Sequence, residues 1–393
     1  MNGNKLRVLL YMGYIIVMMA AFSCSSSPER NRFESFGFFT LDMNNPEGQT
    51  RAFFERIDSI RFLKLSQDST FLMGFASKAQ FLGNRYYVFD KSRANTLFVF
   101  DSMGNGLFKV GKVGRGPREY REISSFIVND EYIILLDVGD DKLLYYALDG
   151  KYLFEHKTDA VVAAKLGPNM MALYDGANAL KITNIKGELL KEHYVNTEGI
   201  KSIDPIFVDY LDSDLLFIEK VTQTVYQVTL DSLVPLKMID LGPYQVTKSH
   251  VAQFSGSAPK NWFMNYSQST MFHSEFGILE SYAINDTWEM IMFSSKSDGF
   301  PVYRNLKTGT TYRFSFPLDN SGIDKGYKYL SWFPISSVND FFVSILSPTQ
   351  LITFMNKKDV DHPLLKRLQL KVSEMNISEE DNPVLMFYRV ADW

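Results

Sequence analysis

One cysteine occurs in 393 residues, so no internal disulfide can form and packing must hold the fold. Basic charge is not in excess: 41 Lys and Arg stand against 45 Asp and Glu, a formal charge of -4. Removing the first 23 residues, which carry Lys5, Arg7 and no acid, leaves 39 basic against 45 acidic residues, or -6. No basic field exists to attract nucleic acid, and none is expected as a partner. The five histidines (His156, His193, His250, His273, His362) show no metal-ligand spacing, which argues against a zinc or iron site. A G-x-S-x-G nucleophile elbow is also missing. The longest apolar run, Val8 to Phe22, falls short of the ~20 residues of a spanning helix.

That run is informative for what surrounds it. Lys5 and Arg7 precede it, small Ser23 and Cys24 follow it, and polar "SSSPER" comes next, which is the layout of a secretory signal. With the cysteine directly after the apolar run, the segment resembles a bacterial lipoprotein signal, although Phe22 stands where a smaller residue is usual. The resemblance implies acylation of Cys24 and a firm membrane anchor, since each buried CH₂ contributes about 0.8 kcal/mol. The expected divisions are a signal peptide at 1–23, a lipidated cysteine and tether at 24–52, and a globular part at 53–393. The expected location is the outer membrane. Its periplasmic side is favoured because surface export of such lipoproteins goes with acids soon after the cysteine, where only Glu29 stands.

Aromatic residues make up 15% of the chain, with 32 Phe and 21 Tyr, a composition suited to pleated, half-buried surfaces. Three stretches align: "NRYYVFDKSRANTLFVFDSMGNGLFKVG", "DEYIILLDVGDDKLLYYALDGKYLFEHK" and "PNMMALYDGANALKITNIKGELLKEHY". Each has a strand-like run ending in Asp (Asp90, Asp137, Asp175), a polar turn, a second run, a glycine turn and a third run. A period near 40 residues with about four strands per unit is that of a propeller blade. Three weaker copies bring the count to six. The last lacks an outer strand, and "SIRFLKLS" and "PVLMFYRV" from the two chain ends are expected to complete it and protect both edges. The leucine spacing of "PLLKRLQLKVSEM" predicts a helix before the final strand. The expected fold is thus an all-β, six-bladed propeller of four-stranded antiparallel blades.

Turn lengths divide the two faces. First-to-second and third-to-fourth strand turns are short ("GN", "ND", "DG", "KG"), as in tight hairpins, whereas every long segment falls on the opposite face. Long loops on one face of a rigid scaffold usually carry function. "KVGRGPREY" (112–120) is one of them, and its glycine spacing fits neither a Walker loop nor a dinucleotide turn. It reads as a rim-to-axis link whose Glu119 and Tyr120 bond neighbouring backbone, with Arg115, Arg118, Glu119 and Tyr120 also candidates for a ligand pocket. The insertion 243–274 mixes Trp262, Phe263, Tyr266 and Phe272 with Asn, Gln and Ser. It reads as a lid over the channel, with Trp262 and Tyr266 the ligand-contact candidates.

With "FLKLSQDSTFLMGFASKAQF" before it and "NPVLMFYRV" closing the chain, the stretch around "KVGRGPREY" resembles the six-bladed propeller lipoproteins of Gram-negative gut anaerobes. Their G-x-G-P-x-E-Y signature is matched by Gly114, Gly116, Pro117, Glu119 and Tyr120, and their N-P-V-L by Asn382 to Leu385. The signature marks membership and names no reaction. "DVGDD" (Asp137, Asp140, Asp141) is a weak calcium candidate, because NHL-like propellers can hold the ion at the channel mouth. The competing reading has these Asp residues capping turns. Asp-Ser pairs at 58, 68, 101 and 231 resemble O-glycosylation sites of such bacteria and are also ordinary turn chemistry. The resulting expectation is a ligand- or partner-binding protein of the envelope, taking a glycan, a peptide or an envelope protein, with no cofactor. The alternative is a propeller lyase or hydrolase, calcium-dependent or not, using acids and arginines at the channel mouth.

Overall fold

The computed structural model describes residues 37–40, 46–67, 70–195, 206–210, 214–220, 222–240, 278–295, 298–313, 330, 332–358, 360 and 362–392. Cys24, the signal segment, Trp262, Tyr266 and the insertion 243–274 lie outside the described residues.

The chain enters through β1 (Gly37–Thr40), α1 (Pro46–Glu55) and β2 (Ile57–Lys64) and then counts out blades. Blade 1 is β3 (Lys78–Leu82), β4 (Arg85–Asp90), β5 (Thr96–Asp101) and β6 (Gly106–Val110). Blade 2 is β7 (Ile123–Val128), β8 (Ile133–Asp137), β9 (Lys142–Tyr146) and β10 (Tyr152–Lys157). Blade 3 is β11 (Val162–Leu166), β12 (Met170–Tyr174), β13 (Ala179–Asn184) and β14 (Leu189–Tyr194). Blade 4 is β15 (Ile206–Tyr210), β16 (Asp214–Glu219), β17 (Thr224–Val228) and β18 (Leu233–Asp240). Blade 5 is β19 (Ile278–Ile284), β20 (Trp288–Ser295), β21 (Asp298–Asn305) and β22 (Thr311–Arg313). Blade 6 takes β23 (Ser336–Val338) and β24 (Phe341–Leu346), then α2 (Pro348–Asn356) and α3 (Pro363–Glu374), and only then β25 (Val384–Val390).

The sixth sheet runs β2-β25-β24-β23, so the chain's two ends close the ring as expected, with Ile57 opposite Val390 and Lys64 opposite Val384. The sixth repeat departs from the others because Pro348–Asn356 is helical. Ser347 caps it through a capping box with Gln350, and Pro348 sits in its first turn, signals that outweigh its strand-like composition. The tether expected at 24–52 is structured in its later part. There β1 pairs in parallel with β18 as a fifth strand of blade 4, and α1 begins at Pro46.

The strand period of two explains the core. Along β25, Val384, Met386 and Tyr388 are buried with blade 5 residues such as Trp288 and Tyr303, whereas Leu385 and Phe387 are buried with blade 1 residues Val88 and Phe98. The same alternation joins blade 1 to 2, 2 to 3 and 3 to 4. Apolar seams thereby join blades 1 to 4 in turn, and blade 6 to blades 5 and 1, and each fully buried Leu or Phe contributes about 1.5–3 kcal/mol.

Candidate functional site

The inner strands of all six blades, β3, β7, β11, β15, β19 and β23, surround a hub cavity of about 610 Å³, within the usual range of roughly 300–1,000 Å³ for ligand pockets. Inner strands run from the loop-rich face toward the short-turn face, so Lys78 and Ser124 lie deeper into the loop-rich half than Gln80, Lys165 and Asp209. Two of these strands are irregular. Pairing jumps from Ile123 to Ser125 on β7 and from Leu279 to Ser281 on β19, leaving Ser124 and Glu280 as the extra residues of two bulges. A bulge re-aims its side chain, and both residues line the hub from opposite blades.

Blades 1 and 4 also face each other, and the hub is braced between them. Gln80 Nε2 donates to Asp209 Oδ2 at 3.3 Å, while Gln80 Oε1 accepts from the Val128 N–H of blade 2 at 3.1 Å. Lys78 opens onto the cavity, its Nζ 5.6 Å from the centre of the Phe126 ring. The cavity is deep enough that burial pulls this ammonium below its ordinary value, and Asp209 draws it partly back. Lys165 lines the hub from blade 3. Among the described residues neither Lys78 nor Lys165 forms an ion pair. The hydroxyls of Ser124 and Ser336, both in the lining, are buried and hydrogen-bond to no described protein group. Among the described residues no arginine lines the cavity. Among the described residues no three His, Cys, Asp or Glu side chains are grouped to hold a metal ion.

The "KVGRGPREY" link is a closed device between blades 1 and 2. Gly114 N–H donates to Tyr120 O at 2.9 Å, Tyr120 N–H to Lys112 O at 3.1 Å, and Val113 and Tyr120 form a parallel bridge. Within that ring Glu119 accepts from the Gly116 N–H at 2.7 Å and pairs with Lys112 at 2.8 Å. Lys112 and then the Gly116 N–H hold its carboxyl below the ordinary range. Gly114 is required because a Cβ there would meet Glu119 Oε2 at 1.9 Å. Tyr120 is buried, its hydroxyl 3.5 Å from Thr96 Oγ1. Arg118 adopts φ 67° and places its guanidinium 5.4 Å from the centre of the Tyr152 ring, and Arg115 is exposed. None of these four candidates is among the residues lining the hub.

The acids that end second strands clasp the backbone. Asp90 accepts from Gly74, Phe75 and Arg93 N–H groups. Asp137 accepts from Arg121, Glu122 and Gly139, and Asp175 from Ala177, Asn178 and Ala179. In blades 1 and 2 two of these donors belong to the incoming link, so the acid ties that link to the blade. Asp140 instead pairs with Arg121 at 3.3 Å, and Asp141 takes φ 52°. The Asp-Ser pairs fall in β2 (Asp58), at the end of β5 where its turn begins (Asp101) and in a bend (Asp231), with Asp68 outside the described residues.

A further polar group escaped sequence reasoning. Between blades 4 and 5, Glu289 is fully buried, pairs with Lys237, accepts from the Tyr282 hydroxyl, and meets Arg304 at 3.0 Å. Burial alone would raise its carboxyl, but Lys237 and Arg304 outweigh that and hold it below the ordinary value. Burial also pulls Lys237 down against the attraction of Glu289. With two cations against one carboxylate, the ionised carboxylate is the firmer assignment. No local motif announces this cluster, whose members come from four different strands.

The fold and hub together define a six-bladed β-propeller with a central cavity of mixed polar and apolar lining. The model of the domain-of-unknown-function family DUF4934 matches residues 39–389, and the chain belongs to that family. Among solved structures it is similar to a Bacteroides fragilis protein named for its expected export, with 19% identity and a TM-score of 0.72, covering 90% of this chain and 99% of that one. A DUF4221 family member from Bacteroides vulgatus is 10% identical, with a TM-score of 0.47, and covers 85% of this chain and 96% of that one. A virginiamycin B lyase from Staphylococcus aureus is 10% identical, with a TM-score of 0.40, and covers 67% and 75%. Identities this low speak to the fold alone, and the two lower scores add nothing to it. Among curated proteins nothing matches.

Proposed function

We propose that this chain is a lipid-anchored binding protein of the cell envelope. In this reading acylated Cys24 holds it at the periplasmic side of the outer membrane. The propeller takes a glycan, a peptide or part of an envelope protein through its loop-rich face and the hub beneath. Arg115, Arg118, Trp262 and Tyr266 are rim contacts in this reading. The observation that carries it is the hub of about 610 Å³, where hydroxyl, amide, amine and carboxylate groups stand among apolar side chains such as Phe81, Val162 and Phe207. Polar groups of that variety on a rigid frame orient a ligand without a reacting centre. The alternative, a calcium-dependent lyase or hydrolase, calls for converging acids and arginines at the mouth, and the described lining has no arginine.

Two experiments test the reading. Thermal unfolding of the full chain in detergent, with oligosaccharides, peptides, or calcium and chelator, reads binding, because a ligand at 100 times its Kd stabilises by about 2.7 kcal/mol. A sugar or peptide shift lost in Arg115→Ala or Trp262→Ala supports the reading, and a shift with calcium alone favours the enzyme. For the anchor, labelled fatty acid should enter the wild type and not Cys24→Ala, and equal labelling would remove the anchor from the proposal.

A further inference from the structure

The outer strands of the first four blades share an irregularity. In each of them the pairing with the third strand skips one residue, and that residue is a leucine: Leu107, Leu153, Leu190 and Leu236. In blade 6 Asp58 takes the place. The four leucines differ in their surroundings. Those of blades 1, 2 and 3 are 43, 42 and 47% exposed, whereas Leu236 of blade 4 is 7% exposed. Blade 4 is also where the chain adds a fifth strand. There β1 runs parallel to β18, with Gly37 opposite Lys237, the residue after Leu236, and Thr40 opposite Asp240. Among the described residues the fold thus holds one filled copy of a strand-accepting edge and three open ones.

Of the three open edges, that of blade 3 offers the most. On β14 Leu190 stands with Leu189, 60% exposed, and Tyr194, 66% exposed. On β10, by contrast, Phe154 already stacks on Tyr145, their ring centres 4.3 Å apart, and on β6 Leu107 is alone as an exposed large apolar side chain. The β14 backbone is also available. Val195 N–H donates to Asn178 O, and the alternation of an antiparallel ladder then turns the N–H and C=O groups of Glu192 and Tyr194 away from β13. No strand lies beyond β14 among the described residues. An open edge with exposed apolar side chains is a template for a further strand. We infer that β14 is a docking edge at which an extended segment of a partner protein, bearing aromatic side chains as "GFFT" of β1 does, adds as a fifth strand parallel to β14. The backbone ladder supplies affinity, and Leu189, Leu190 and Tyr194 select apolar side chains in the added strand. This surface lies on the rim and is independent of the hub.

The probe is the fluorescein-labelled peptide SFGFFTLD, which copies residues 35–42, titrated into the full chain in detergent and read by anisotropy against detergent alone. Saturable binding is expected. Methylating alternate backbone nitrogens of the peptide removes ladder donors and keeps the side chains, and should weaken binding by about tenfold or more. Glu192→Pro, which removes an outward N–H, and Leu190→Lys, which charges the apolar edge, should each weaken it by a similar factor. Glu192→Ala keeps the N–H and should bind as the wild type does. Absence of binding would overturn the inference. So would equal binding of the methylated peptide, which means apolar adhesion without a ladder, or binding indifferent to both blade 3 variants, which means exchange with β1 on blade 4. Sedimentation of the full chain without peptide covers the remaining occupant: dimers abolished by Glu192→Pro would assign the edge to a second copy and overturn the partner. Unfolding temperatures check the variants, and if Glu192→Pro is destabilised, Leu190→Lys and the methylated peptide decide.

Discussion

Between blades 1, 2 and 3 the facing surfaces are apolar, with Val99 and Leu135 buried in one shared cluster and Leu136 and Leu173 in the next. Between blades 4 and 5 a fully buried carboxylate, Glu289, meets Lys237, Arg304 and Tyr282. The two arrangements fill similar space with opposite chemistry. An apolar seam is tolerant of any well-shaped neighbour, whereas a desolvated ion cluster is satisfied only by the blade that brings the matching charges. The charged seam includes Tyr282, which also lines the hub two residues along β19 from Glu280. The seams of blades 1 to 3 are therefore the regular, apolar half of the comparison, and the buried charge lies between blades 4 and 5.

The sharpest way to break this comparison is Glu289→Gln, which leaves Lys237 and Arg304 facing a neutral group. It is expected to destabilise by about 3–5 kcal/mol, read as a lower midpoint in urea unfolding. The double variant Glu289→Met with Lys237→Met should recover much of that loss, because removing both partners leaves no uncompensated charge. The pH dependence has a definite sign. The folded Glu289 carboxyl lies below its ordinary 4.5, so its contribution is complete above that value and drains away as the pH falls through the lower folded value. A wild-type acid-unfolding curve that coincides with that of the double variant would remove the ion cluster from the account.

Asn382→Ala tests the seam where the chain ends meet. This buried amide donates to Ser66 O at 2.7 Å and to Phe71 O, and its Oδ1 accepts from the Met73 N–H at 2.9 Å. Truncation leaves one N–H and two carbonyls without it, an expected loss of about 2–3 kcal/mol in the same assay. Asp137 and Asp175 sharpen the comparison inside the regular half. Asp137 is buried and ties the incoming link, so Asp137→Ala is expected to cost about 2 kcal/mol. Asp175→Ala is expected to cost about 1 kcal/mol, because the residue is half-buried and binds only its own turn. Equal losses would mean that the link clasp contributes nothing beyond turn capping.

These acids also explain how much was legible beforehand. Asp90, Asp137 and Asp175 recur at one place in the first three repeats because each caps the turn after its second strand, and that recurrence made the repeat countable. "KVGRGPREY" was readable as a link for the same reason, since Gly114 is demanded by contacts inside nine residues. The hub was not readable. Its lining comes from six strands spread along the chain, and Ser124 and Glu280 enter it through bulges, shifts of register that leave no mark in composition. The Glu289 cluster was hidden too, because an acid in an alternating strand reads as solvent-facing until a neighbouring blade supplies its cations.

The smallest effect is expected at the most conspicuous contact of the ring closure. Lys64 and Asp381 pair at 2.7 Å where β2 meets the segment leading into β25, and Lys64 side-chain exposure is 35%. A partly exposed ion pair, with Asp381 at 12% here, gains little over its hydrated partners, spends side-chain entropy to form, and is screened by salt. Lys64→Met is therefore expected to cost about 0.5 kcal/mol, and less at high ionic strength. The seven-residue register of β2 against β25 and the three bonds of Asn382 hold the ring without it. If Lys64→Met instead matches Asn382→Ala in urea unfolding, closure depends on charge. The distinction between a charged seam at blades 4 and 5 and packed seams elsewhere would then lose its force.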